Sequence, residues 1–147
     1  MKSFRVTNGK IVVSDPCYEQ GELRAAARNG RWVAVSRRSD ESDWGLRVSS
    51  VLVHHESFDP IGKKYTERVE YFGVDSGQAG VFDADKYSAD GHDSFYDMCC
   101  RATNDGCGFV PGGFVTTSGY GDGGYPARIY RCHGEAEAVE MVFIRKD

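Results

Sequence analysis

The segment 116–126, TTSGYGDGGYP, places one carboxylate, Asp122, among four glycines and two tyrosines. Glycine lets the main chain approach a ligand closely, and successive N–H groups in such a loop form an anion-binding concavity. Asp122 can hold an amine, hydroxyl or cation, Ser118 adds a hydroxyl, and Tyr120 and Tyr125 can stack on a planar group. The same composition is also typical of a plain corner between strands. Neither a phosphate-loop lysine nor a dinucleotide-binding helix follows it.

Two further segments carry polar groups where a strand gives way to a loop. Asp15 and Cys17 flank Pro16, which ends a strand pattern, and Asp75 and Gln78 flank a Ser-Gly turn. Such positions often hold functional side chains. The simpler interpretation is that each aspartate binds its own turn and that Cys17 is a small buried hydrophobe.

Metal sites are not predicted. Five cysteines without an export signal indicate reduced thiols, and no Cys-x-x-Cys pair supports zinc. The sequence alone leaves open whether the late group meets at a metal: Cys99, Cys100, Cys107, Cys132 and His133. The aspartates between 83 and 93 lack the EF-hand spacing. His54 and His55 point to opposite faces of a strand, and we interpret both as surface residues. We expect no cofactor.

Length and charge limit the function classes. The chain has 147 residues and a net charge of −4 with both signs dispersed, which predicts a single domain, 1–147, that binds no nucleic acid. The first residues run directly into a strand pattern, and no window is apolar enough for a membrane span. We therefore expect a cytoplasmic protein without membrane contact, of unknown oligomeric state.

Strand signals cover most of the chain. Asn8-Gly9 predicts a hairpin over 2–14, with Val6 opposite Ile11. A second hairpin is predicted for 66–74 and 78–83, and a terminal hairpin for 127–132 and 136–144. Further strands are expected at 31–36, at 44–54 with a bulge at Ser49-Ser50, and at 114–117. One or two helical turns are predicted over 23–28, and a charged loop over 37–43.

One helix is expected near residues 94–103. Phe95, Met98, Cys99 and Ala102 recur at helical spacing, and Asp93 or Ser94 can cap its start. The predicted fold class is mainly β (α+β): an antiparallel β-sandwich or open barrel with this one packed helix.

Three segments resemble a known family. The runs 14–18 (SDPCY), 74–80 (VDSGQAG) and 121–126 (GDGGYP) are similar to those of domain-of-unknown-function family 4241, noted for its Gly-Asp-Gly motif, and to small phage and bacterial relatives. The resemblance covers about a fifth of the chain and implies no known activity. It does imply that Asp75, Gln78 and Asp122 are site residues.

The favoured hypothesis is a binding or accessory module. The loops with Asp15, with Asp75 and Gln78, and with 118–125 would converge at one end of a β scaffold and bind a small polar ligand or a protein partner. The alternative is a hydrolase that uses the three aspartates with a metal, or Cys17 with His133, although no triad or elbow motif is present. A third reading is a structural protein that binds through a sheet edge.

Overall fold

The fold is built mainly from β-strands. The computed structural model describes residues 2–19, 21–88 and 94–145. The strands and the α-helix are β1 (Phe4–Val6), β2 (Lys10–Ser14), β3 (Leu23–Ala26), β4 (Gly30–Asp40), β5 (Leu46–His55), β6 (Thr66–Val74), β7 (Gln78–Asp83), α1 (Ser94–Ala102), β8 (Cys107–Val110), β9 (Gly113–Thr117), β10 (Gly123–Cys132) and β11 (Glu135–Val142). A 3-10 helix, Ser42–Trp44, precedes β5.

The strands form two antiparallel sheets. One sheet has six strands in the order β1-β4-β5-β11-β10-β6, and the other has five in the order β3-β2-β7-β9-β8. Neither order returns to its first strand, so the sheets do not close into a barrel. The predicted class, mainly β with one packed helix, is confirmed.

One apolar core lies between the sheets. Trp32 and Met141 of the six-stranded sheet and Ile11 and Val81 of the five-stranded sheet are fully buried within it. The other face of the five-stranded sheet is covered by α1, where Phe95 and Cys99 pack against residues that include Phe82. In the apolar stripe predicted for the helix, Phe95 and Cys99 are buried and Met98 and Ala102 pack partly buried against them, while Asp93 lies outside the described residues.

Two predicted hairpins are wrong, because both turns carry the chain from one sheet to the other. β1 pairs with β4 whereas β2 pairs with β3 and β7, so Val6 does not face Ile11. Likewise β6 pairs with β10 while β7 pairs with β2 and β9. The strand bounds of β6 and β7 match the prediction, and only their pairing differs.

Of three other local predictions, two are wrong and one is confirmed. Residues 23–26 form the edge strand β3 instead of helical turns, because Ala25 packs into the core opposite Ile11. β4 continues to Asp40, through most of the predicted charged loop. The predicted bulge is confirmed: Val48 and Ser50 pair with consecutive residues of β4, which leaves Ser49 as the extra residue.

Within the described residues, no helix has the length and apolar character needed to cross a membrane.

A substitution at Gly80 would test how tightly the five-stranded sheet is packed. A Cβ there would lie 2.7 Å from the Phe114 carbonyl oxygen and would also meet the Phe82 ring. We expect Gly80→Ala to lower the free energy of unfolding by about 1–3 kcal/mol through overpacking. Gly124→Ala is the matched control, since the nearest atom to its Cβ would be 4.0 Å away. Equal urea midpoints for the two variants would contradict this packing.

Candidate functional site

Asp15 joins two of the predicted site segments. Its side chain is only 1% exposed and accepts five hydrogen bonds. Oδ1 accepts from the backbone N–H of Cys17 at 2.7 Å and of Tyr18 at 3.1 Å, and from Ser76 Oγ at 2.9 Å. Oδ2 accepts from the backbone N–H of Asp75 at 2.7 Å and of Ser76 at 2.6 Å. Asp15 is therefore occupied as an anchor between the end of β2 and the β6–β7 turn.

The third segment meets the other side of that turn. The Ser118 N–H donates to the Gly77 carbonyl at 3.1 Å, and Gln78 lies opposite Thr117 in the β7–β9 ladder. Gly123 pairs with Val74 in the β6–β10 ladder. We call residues 15–18, 75–78 and 118–122 together the loop rim. The rim brings together the three segments that the sequence analysis singled out.

Two carboxylates project from the loop rim without a partner. Asp75 follows Val74 and Asp122 precedes Gly123, so the aspartates occupy neighbouring positions just beyond the paired ends of β6 and β10. Both residues are exposed. Throughout 2–19, 21–88 and 94–145, neither carboxylate has a hydrogen bond or an ion pair.

Gln78 adds a polar group that is not satisfied. The residue is 8% exposed, and its Nε2 lies 3.4 Å from Cys100 Sγ on α1. Its Oε1 is buried with no hydrogen-bond partner among the described residues. Exchanging the amide nitrogen and oxygen would leave the nitrogen unpartnered instead. One polar atom of this buried amide therefore lacks a partner in either orientation.

Thiols and phenols line the side of the rim that faces α1. Burial raises the pKa of Tyr96 to about 12, and the hydrogen bond to Cys100 contributes in the same direction. The negative charge that Cys17 carries as a thiolate, and a hydrogen bond to Cys17, raise the pKa of Tyr18. Each phenol therefore has a cysteine as its hydrogen-bond neighbour, Cys100 for Tyr96 and Cys17 for Tyr18.

The glycine-rich loop is stabilised by its own side chains. The Ser118 hydroxyl donates to the Gly121 carbonyl at 2.8 Å, and the Tyr125 hydroxyl contacts the same oxygen at 2.6 Å. Tyr120 turns away from the rim: its hydroxyl donates to Glu41 at 2.7 Å and its ring lies 5.0 Å from the Arg47 guanidinium. Ser118 and Tyr125 thus shape the rim, whereas Tyr120 belongs to another surface.

Sequence reasoning missed a second polar cluster around Glu137. This carboxylate is 3% exposed. Oε1 accepts from Lys63 Nζ at 3.1 Å, Tyr65 OH at 3.1 Å and Ser57 Oγ at 3.3 Å, and Oε2 accepts from Arg28 Nη1 at 3.3 Å. Burial by itself raises the pKa of Glu137, but the Lys63 and Tyr65 hydrogen bonds and the nearby cations lower it below its usual value.

The interpretation of His55 as a surface residue is wrong. Its ring is buried on the core face of β5, with Nδ1 2.8 Å from Ser57 Oγ and Nε2 3.0 Å from the Asn29 carbonyl oxygen. That carbonyl accepts the Nε2 proton, which leaves Nδ1 to accept from the backbone N–H of Ser57 at 3.0 Å. The alternation of β5 was the available signal, because His55 shares the parity of the buried Val51 and Val53.

The hydrolase arrangements are not assembled. Cys17 adjoins the turn beyond Val74, whereas His133 follows β10 at its other end, where Arg131 pairs with Thr66. Ten strand residues separate these ends, or about 30 Å. The described residues also contain no group of three His, Cys, Asp or Glu side chains placed to hold a metal ion.

Comparison of the chain with models of protein families, with functionally described proteins and with solved structures returned no match. The resemblance to domain-of-unknown-function family 4241 therefore depends on the three quoted motifs alone.

The Asp15 anchor has a direct consequence for stability. In Asp15→Asn an amide replaces one acceptor oxygen and turns N–H groups towards backbone donors. Because buried donors would lose charged acceptors, we expect a loss of at least about 2 kcal/mol in the free energy of unfolding. Asp75→Asn, at an exposed carboxylate one turn away, should stay within about 0.5 kcal/mol. Urea unfolding of both variants measures the difference, and a small loss for Asp15→Asn would refute the anchoring role.

The Glu137 cluster predicts an acid-sensitive contribution to stability. A pKa that is lower in the folded than in the unfolded protein stabilises the fold above the usual value, 4.5, and this stabilisation is lost as pH falls through the folded value. Glu137→Gln should therefore be less stable at pH 7 and should lose less further stability as pH falls from about 5 to about 3. Urea midpoints across this range provide the measurement. Glu135→Gln, at an exposed carboxylate, should keep the wild-type slope.

Proposed function

We propose that the protein is a binding module that holds a small polar ligand at the loop rim, through a positively charged or donor-rich group. The observation that carries the proposal is the pair of exposed, unpartnered carboxylates, Asp75 and Asp122, at neighbouring positions. The two carboxylates carry like charges just beyond the end of the β6–β10 ladder, so they repel each other. A cationic group bound between them removes that repulsion and gains two charged hydrogen bonds.

Gln78 supports a ligand that extends from the carboxylates towards α1. Its buried amide needs one more hydrogen-bond partner, and such groups are rare in folded proteins unless a ligand or water supplies it. Because the two carboxylates and Oε1 of Gln78 all accept hydrogen bonds, the ligand would carry several donors.

The Asp15 anchor supports binding by fixing the rim before a ligand arrives. Three of its five hydrogen bonds hold the turn that carries Asp75 and Gln78, and the Ser118 N–H holds the same turn from the other side. A preformed site avoids the entropic cost of ordering its loops on binding. Catalysis is less well supported. The Asp15 carboxylate already accepts five hydrogen bonds, and Cys17 and His133 lie near opposite ends of β10. A phage accessory role would follow only from the family resemblance.

A ligand screen with matched variants tests the proposal. The probes are amino acids, polyamines and nucleotides at millimolar concentration, read out as a rise in Tm. A ligand at a hundredfold excess over its Kd stabilises by about 2.7 kcal/mol, which raises Tm by several degrees. We expect at least one amine-containing probe to raise Tm, and Asp75→Asn and Asp122→Asn each to abolish most of the rise.

Glu67→Gln is the control, because it removes the same charge from the opposite end of β6. It should leave the Tm rise unchanged. No rise with any probe, or equal losses in all three variants, would reject the small-ligand proposal. Capture of a partner protein that depends on Asp75 and Asp122, without any small-molecule effect, would assign the rim to a protein partner instead.

A further inference from the structure

The outer face of the six-stranded sheet holds a cavity at the Ser49 bulge. The extra residue shifts the register of β5, and the Ser49 carbonyl accepts from the backbone N–H of Phe143 at 2.8 Å and of Ile144 at 3.0 Å. The C-terminal segment is thereby held against the bulge. The resulting cavity of about 490 Å³ is lined by residues that include Arg37, Ser50 and Arg145.

The arginines at this face have no internal partner. In the described residues, the guanidinium groups of Arg37, Arg128 and Arg145 make no hydrogen bond and no ion pair. Arg38 also lines the cavity, but it donates to the Asp105 carbonyl at 2.6 Å. Among the residues that the structure describes, Glu140 is the one carboxylate that lines the cavity. In a chain of net charge −4, this face therefore concentrates arginines that form no ion pair within the described residues.

A second cavity adjoins the first. Its volume is about 290 Å³, and it shares Val142 and Arg145 with the cavity at the bulge. Tyr71 and Pro126 face each other across the β6–β10 ladder in its lining, beside Arg128. The Tyr71 residue is 66% exposed, so its ring is open to an incoming planar group.

We propose that these two cavities form one binding site for a nucleoside monophosphate. The phosphate would lie between Arg37 and Arg145 beside the Ser50 hydroxyl, because guanidinium groups bind phosphate oxygens in bidentate geometry. The base would stack on Tyr71 in the adjoining cavity, since an aromatic ring can stack on any nucleobase. Arg128 lines the adjoining cavity beside Tyr71, where it could donate a hydrogen bond to the ribose. This site is independent of the loop rim.

The charge pattern favours a single nucleotide over a nucleic-acid strand. Arg128 and Glu140 are directly opposite in the β10–β11 ladder, so a carboxylate interrupts the positive surface. Binding a strand requires a continuous basic track, and the net negative charge of the chain disfavours one. Glu140 should also weaken phosphate binding by repulsion, which provides a variant expected to gain affinity.

Isothermal titration calorimetry with adenosine 5′-monophosphate, adenosine and inorganic phosphate tests the proposal. We expect the monophosphate to bind more tightly than either fragment. Arg37→Gln and Arg145→Gln should each weaken it by about tenfold or more, the loss of one charged hydrogen-bonding group. Glu140→Gln should strengthen it. Tyr71→Ala should weaken the monophosphate but leave phosphate binding unchanged, which separates stacking from charge.

Arg131→Gln is the matched control, because Arg131 lies on the same sheet but pairs with Glu70 at 3.2 Å. It should leave the affinity unchanged. The four residues substituted to test the site lie on the surface of the protein. An unchanged Tm would verify that each variant is folded. The proposal is overturned if no heat is measured at millimolar monophosphate, or if Arg131→Gln weakens binding as much as Arg37→Gln and Arg145→Gln do.

Discussion

The buried carboxylate of Asp15 is the interaction on which the geometry of the loop rim depends. It lies at the end of β2 in one sheet and binds two N–H groups of the turn that leaves β6 in the other. The Tyr87 hydroxyl donates to the Asp15 carbonyl at 2.9 Å, and burial raises the pKa of that phenol to about 12. Hydrogen bonds to a charged acceptor are worth roughly twice neutral ones, so this group fixes the two sheets relative to each other at the rim.

This anchor also explains why a hairpin-like turn is used as a crossover. The Asp-Ser-Gly sequence predicts a reversal, and the reversal occurs, with Gly77 at a φ of 74°. Local sequence does not determine whether the strand after a turn joins its predecessor or a different sheet. Here the hydrogen bonds that Asp15 accepts from Asp75 and Ser76 connect the turn after β6 to the five-stranded sheet. The choice depends on a residue 60 positions earlier in the chain.

The parts of the fold that the sequence predicts are those set by neighbouring residues. The bounds of β6, β7 and α1 follow from hydrophobic periodicity, and the Ser49 bulge follows from a phase shift within one strand. The Glu137 cluster was not predicted, because Lys63 and Arg28 lie 74 and 109 residues away from it. For the candidate site, the three motif segments meet at the rim. Which of their side chains already have hydrogen-bond partners depends on contacts between distant segments.

The two proposed sites have opposite charge preference, and the base-binding part of the second shares β6 and β10 with the loop rim. The phosphate-binding part lies on β4 and β5, farther across the sheet. Tyr71 is three residues from Val74 along β6, so the nearest parts of the two sites are roughly 10 Å apart. Two unit charges at that distance interact by about 0.4 kcal/mol in water, and salt at physiological strength screens this further, since its Debye length is about 8 Å. A cation at the rim would thus strengthen an anion at the sheet face by less than twofold. Binding at one site is therefore nearly independent of binding at the other, and loss of one by substitution leaves the other measurable.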